Sequence, residues 1–290
     1  MKKTFILQLF ILVFLFLGVN LEIRAEKFFA VNQDNDTIYY SIEENSKIQI
    51  ATVTYPGDNT QIVRYDYKDT LRIPEDVTHN GINYKVTIIG KHAFDGCRLL
   101  RYVLIPQSVH TIENYAFYDC VLLNSINLTN EIKDIGVSAF ENCRALETIV
   151  LPNHLKKISN SMFRNCVSLS SIIIPQKVET IESFAFMNCS KLSSIILPEA
   201  LTLIDNSAFR DCISLTVIDI PQNVKTIRIN AFAGNVNLNA INLYSSIPPR
   251  IYFETFDGVP LSLDVYIHAG SISNYQKDEY WNKFVNIQPK

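Results

Sequence analysis

Ala93-Phe94-Asp95-Gly96-Cys97, with Leu100 three residues later, decides how this chain is read. The pattern returns as Ala116-Phe117 with Cys120 and Leu123, and as Ala139-Phe140 with Cys143 and Leu146. Phe163, Cys166 and Leu169 follow, then Phe186, Cys189 and Leu192, then Phe209, Cys212 and Leu215. A seventh copy keeps Phe232 and Leu238 and places Asn235 where the cysteine would be. Every step from Phe94 to Phe232 is 23 residues. A fixed period of about 20–50 residues marks a solenoid, in which each unit buries its apolar face only against its neighbours.

Within a unit the apolar residues form two clusters. The first is Leu-x-x-Ile-x-Ile/Leu-Pro, as in Leu192-Ser193-Ser194-Ile195-Ile196-Leu197-Pro198. Ile195 and Leu197 are two apart, the spacing of one face of a strand. Proline closes the strand, where its missing N–H costs no ladder bond. The second cluster is Val-x-x-Ile, as in Val178-Glu179-Thr180-Ile181, followed by a polar turn and Ala185-Phe186. It predicts a second short strand running into a helical or 3₁₀ turn. The expected fold is a β-rich α/β solenoid, a right-handed coil of 23-residue leucine-rich repeats. One face carries a parallel sheet roughly 40 Å long at ~4.8 Å per coil.

The flanks divide the chain. Lys2 and Lys3 precede an apolar run from Phe5 to Val19, and Ala25 is a small residue at the end of that segment. Residues 1–25 therefore read as a signal peptide cleaved near Ala25. Residues 26–85 read as an N-terminal β cap. Ile38-Tyr39-Tyr40, Ile48 to Val53 and Ile62-Val63-Arg64-Tyr65 are its strands, and Pro56-Gly57-Asp58-Asn59 and Asn80-Gly81 its turns. Leu71-Arg72-Ile73-Pro74 looks like an outlying repeat strand. Residues 86–246 hold seven repeats. Residues 247–290 read as a degenerate eighth repeat, with Phe256, Val265 and Ile267, and a C-terminal cap whose Tyr275, Trp281 and Phe284 plug the open end.

Composition narrows the function. A net charge of -3 gives no polybasic signature for nucleic acid. No second long apolar run follows the first, so no membrane span is expected after signal cleavage. Six cysteines in an exported chain would ordinarily mean disulfides. All six hold one repeat position, so their side chains point in parallel and meet the geometry of a disulfide badly. They read as buried free thiols packed as small hydrophobes. They contain no Cys-x-x-Cys pair, so no metal and no cofactor is expected. The histidines form no spaced pair, and no nucleophile elbow or Gly-rich loop occurs, so the chain is not expected to be an enzyme.

The variable positions are then the informative ones. On the repeat strand the outward residues flank the inward Ile: Tyr102 and Leu104, Thr148 and Val150, Ser171 and Ile173, Ser194 and Ile196, Val217 and Asp219. These are the candidate ligand-binding residues. Val150, Ile173 and Ile196 would form an apolar stripe on consecutive coils, either as ordinary β-formers or as an adhesive groove. A polysaccharide site would want aromatic platforms on the sheet, and only Tyr102 qualifies in the repeats.

The motif Ile-x-x-x-Ala-Phe-x-x-Cys-x-x-Leu-x-x-Ile-x-Ile-Pro, clear at Ile89 to Pro106, Ile181 to Pro198 and Ile204 to Pro221, resembles that of the BspA-like leucine-rich repeat family. The resemblance implies a bacterial protein, secreted or held at the cell envelope or surface, that binds a protein ligand in adhesion to host matrix or to other bacteria. It implies no catalytic residues. A polysaccharide-binding, structural or capture protein of the periplasm or envelope is the alternative.

Overall fold

The computed structural model describes residues 25–43, 48–55 and 67–290. The expected signal peptide before Ala25, the turn at 56–59 and the strand at 62–65 lie outside the described residues. The rest winds into a solenoid of stacked coils with three faces.

The first face carries the repeat strands. Asp69–Arg72, Leu100–Leu104 and Ser125–Asn127 form one parallel sheet, and Ser171–Ile173 pairs with Ser194–Ile196. Val217–Ile220, Ala240–Leu243, Asp264–Ile267 and Asn286–Pro289 form a third sheet. The outlying Leu71 copy is thus the first rung of this ladder, and the last strand extends it beyond the repeats. Equivalent residues pair across coils, Ser171 with Ser194 and Ile172 with Ile195. The parallel sheet expected on this face is present, in three pieces, and residues 147–151 belong to no strand. The inward pattern persists there, since Ile149 and Leu151 are buried. Packing keeps the coil in place even where its ladder bonds are lost.

The second face carries the Val-x-x-Ile strands. Ile50–Thr54, Ile82–Ile89, Thr111–Ile112 and Asp134–Ile135 run in parallel; Lys157–Ile158, Thr180–Ile181, Leu203–Ile204 and Thr226–Ile227 form a separate sheet. The N-terminal strands join this ladder. Ala25–Val31 and Thr37–Glu43 pair antiparallel and hand over to Ile50–Thr54. Asp76–His79 folds back on Ile82–Ile89 through Asn80 (φ 50°) and Gly81 (φ 78°), the left-handed pair a tight hairpin needs. Strand Ile82–Ile89 therefore runs across the 85/86 boundary drawn from sequence.

The third face is neither strand nor helix. Two residues per coil are left-handed, one before the phenylalanine and one after it: Tyr115 and Asp119, Ser161 and Asn165, Phe184 and Asn188, at φ between 57° and 61° apart from Ser161 at 53°. Residues so placed end any helix before it completes a second turn. In exchange the backbone bonds between coils. Tyr115, Phe117 and Asp119 donate their N–H groups to the carbonyls of Val137, Ala139 and Glu141 at 2.9 Å each. Short turn bonds within the coil, such as Cys120 N–H to Phe117 O at 3.3 Å, accompany them.

Inside, eight phenylalanines from Phe94 to Phe256 stack with centroids 5.2–5.7 Å apart and planes within 16°. Offset stacking of this kind adds to the burial of each ring. Tyr67 meets Phe94 edge-on at one end, and Phe284 meets Phe256 edge-on at the other, beside a fully buried Trp281. Trp281 donates its indole N–H to Pro249 O at 2.8 Å, which satisfies the only polar atom of that side chain.

Candidate functional site

All six cysteines are free and buried. The thiols of Cys120, Cys143, Cys166, Cys189 and Cys212 each donate to the phenylalanine carbonyl of the previous coil at 3.1–3.2 Å. Burial pushes their pKa values well up, so they are not poised as nucleophiles. Asn235 does the same work as the seventh member: its amide donates to Phe209 O at 2.9 Å and to Phe232 O at 2.6 Å. The position asks for a small donor, and the repeated motif is structural.

Function is then sought on the outward residues. Strand alternation puts Ile172, Ile195 and Ile218 inside and their neighbours outside. Val150 is 80% exposed, Ile173 65% and Ile196 54%; Val217 is exposed on the next coil, in the row of Ser194, and Tyr102 two coils before Val150. Thr148, Ser171 and Ser194 lie beside the apolar residues and are exposed, as is Asp219. Leu104 is only half-buried. Ser171, Ile173, Ser194 and Ile196 share one sheet. Thr148 and Val150 sit on the neighbouring coil, whose residues 147–151 form no strand, so that end of the stripe is tied to the sheet by the bond of Ser170 N–H to Glu147 O at 3.2 Å. Tyr102 and Leu104 belong to a separate sheet, as do Val217 and Asp219.

The structure adds residues that sequence reading passed over. Tyr266 lies in register with Asn242, and Asn242 with Asp219, on the outward side of the last sheet. Tyr102 is therefore not the single aromatic on this face. Asn242 donates to Asp219 at 2.7 Å, and Gln288 donates to Asp264 at 3.0 Å. Lys290 donates to the hydroxyl of Tyr244 at 2.6 Å. The signal was present: Tyr266 stands between Val265 and Ile267, whose spacing already identified the strand. The face thus grades from apolar at its middle to a polar, aromatic network at its C-terminal end.

The histidines are less idle than expected of surface residues. His79 contacts Glu26 at 2.8 Å and stacks on Phe28, and His92 contacts Asp95 at 2.8 Å and stacks on Tyr115. Each pins one turn to its neighbour. No helix among the described residues is long and apolar enough to cross a membrane.

The profile of the BspA-type leucine-rich repeat region matches residues 74–181 and 156–279, in six copies. No curated protein matches the chain. Among solved structures, a leucine-rich repeat protein of T. pallidum is 27% identical, covering 65% of this chain and 77% of its own, with a TM-score of 0.51. One from Bacteroides ovatus is 23% identical over 80% of this chain and 70% of its own, at 0.49. A leucine-rich cell surface protein of Faecalibacterium prausnitzii is 19% identical over 90% and 98%, at 0.36. The T. pallidum likeness is one of fold.

Proposed function

Because this chain belongs to the family of BspA-type leucine-rich repeat proteins, we propose that it is an exported, non-enzymatic binding protein that holds a protein ligand against the outward face of its repeat strands. One observation carries the reading. Val150, Ile173 and Ile196 are exposed at one repeat position on three consecutive coils, so the apolar surface is a continuous stripe, which Asp219 ends on the next coil. Contiguous exposed apolar surface is what interaction sites show, and single exposed hydrophobes are not. The small Thr148, Ser171 and Ser194 beside the stripe leave room for a partner's side chains and offer hydroxyls at its border. Export rests on Lys2, Lys3 and the apolar run from Phe5 to Val19. The division into a β cap at 26–85, repeats at 86–246 and a C-terminal cap from 247 belongs to the same proposal.

The test replaces Val150, Ile173 and Ile196 together by lysine. Burying each apolar side chain in an interface is worth about 1.5–3 kcal/mol. Binding to a panel of immobilised host matrix proteins, and to epithelial cells, should fall by about a hundredfold or more, with an unchanged circular dichroism spectrum. Undiminished binding by the folded triple variant sinks the assignment of the face. Absence of binding by the wild-type chain to every member of the panel sinks adhesion.

A further inference from the structure

The solenoid has a seam, and the seam is basic. On the second face each coil donates a regular bond to the one before. His110 N–H binds Thr87 O, Lys133 N–H binds His110 O, Glu179 N–H binds Lys156 O, and Thr202 N–H binds Glu179 O, all at 2.8–2.9 Å. Among the described residues the bond that would join Lys156 N–H to Lys133 O is absent. The two sheets of this face meet there without pairing, and Ser159 Oγ, donating to Ile135 O at 2.6 Å, bridges them beneath the surface. On the first face the sheet also stops at the same coil boundary, after Ser125–Asn127. The third face stays closed, through Ser138 N–H to Asn160 O and Phe140 N–H to Met162 O.

Where the second face opens there is a cleft of about 640 Å³. That is in the range of a small-molecule site. Lys133, Lys156, Lys157 and Lys177 line it together with His154. Lys133 and Lys156 hold the same repeat position on adjacent coils, and so do His154 and Lys177. Like charges set directly opposite one another on neighbouring strands destabilise a sheet. Lys157 is balanced by Glu182 at 2.7 Å. Among the described residues Lys133, Lys156 and Lys177 enter no ion pair. In a chain of net charge -3 this is a local excess of cations, with only Glu131 and Asp134 of opposite charge in the lining.

We propose that this cleft binds an acidic oligosaccharide, one bearing carboxylate or sulfate groups. The lysines supply counter-charges for the anionic groups. Glu131, Asp134 and Asn130, in the same wall, accept hydrogen bonds from sugar hydroxyls. Those carboxylates repel a ligand whose every unit is charged, as in a nucleic acid, and offer an acidic peptide few hydroxyls to hold. Ile135 and Leu155 are the buried floor of the cleft, and the C–H face of a sugar ring packs on the aliphatic stems of the lysines above them. The site lies on a different face from the apolar stripe and stands whether or not that stripe binds a protein.

The test uses the full mature chain and fluorescence anisotropy with a labelled hyaluronan hexasaccharide and a labelled keratan sulfate hexasaccharide, in which charged and uncharged sugars alternate. Both should bind, and an uncharged dextran oligomer of equal length should bind about tenfold more weakly or worse. The Lys133→Gln, Lys156→Gln, Lys177→Gln triple variant should lose about tenfold or more in affinity for the acidic sugars. A charge-matched control with Lys91, Lys191 and Lys277 changed to Gln should bind as the wild type does. Salt raised from about 50 to about 300 mM should weaken the wild type more than the first variant. Circular dichroism establishes that both variants are folded. Equal binding by the two triple variants overturns the site. Stronger competition by polyglutamate or by an oligonucleotide of equal charge overturns the ligand class.

Discussion

A phenylalanine in this solenoid is held by two others, one above and one below. Phe163 is fully buried, 5.7 Å from Phe140 and 5.4 Å from Phe186. Truncation to alanine leaves a gap that neither neighbour can fill without leaving its own stack. Phe163→Ala should cost about 3–5 kcal/mol in urea unfolding. The inward residues were legible because the 23-residue period repeats their chemistry. The left-handed residues were legible by half. The position after the phenylalanine is Gly, Asp or Asn in every coil from Gly96 to Gly234, the residue types that tolerate positive φ. The position before it is His92, Tyr115, Ser138, Ser161, Phe184, Ser207 and Asn230. No side-chain type marks it, because bonds to the next coil impose the conformation. Phe184 at φ 61° bears that strain for the sake of its N–H bond to Asn206 O at 3.0 Å.

At the scale of the element, the thiols behave as a column. Burial raises the pKa of Cys120, Cys143, Cys166, Cys189 and Cys212 in the folded chain. The unfolded chain ionises them near the ordinary thiol value of about 8.5. Below that pH both states hold the proton and stability is full. Above it the unfolded state releases protons that the folded state keeps, and stability falls. Each thiol contributes a slope of about 1.4 kcal/mol per pH unit. Urea midpoints measured from pH 8 to 10.5 should drop steeply above about pH 9. A Cys166→Ala, Cys189→Ala double variant should show that drop with two protons fewer. The ladders were less legible than the column. Thr148 to Pro152 reads like any other repeat strand, and its inward residues are buried as the pattern requires. Ladder bonds depend on the separation of coils. That separation is set by what stacks on what across the seam, which no single repeat encodes.

The whole molecule is a nearest-neighbour array, and arrays can be shortened in phase. Deleting residues 164–186 joins Phe163 to Met187 and puts Phe163 where Phe186 stood, so every column closes again. That variant should fold with a single cooperative transition and a modestly lowered Tm. Deleting 164–185 instead shifts every inward residue downstream by one place, and it should yield no folded protein by circular dichroism.

The third face gives the molecule a direction. From Tyr115 to Gly234 the left-handed residues and phenylalanines of this face donate their N–H groups to the next coil, as Tyr115 does to Val137 O and Gly234 to Asp257 O. On this face one end therefore offers donors and the opposite end acceptors, while on the second face, where His110 N–H binds Thr87 O and Lys133 N–H binds His110 O, the order is reversed. Head-to-tail stacking in register, once the aromatic plugs are displaced, sets the donors of each face against acceptors of the same face. Such a contact does not close on itself; it propagates as a filament. Tyr67 at one end and Trp281 with Phe284 at the other are what keep this solenoid a particle of fixed length.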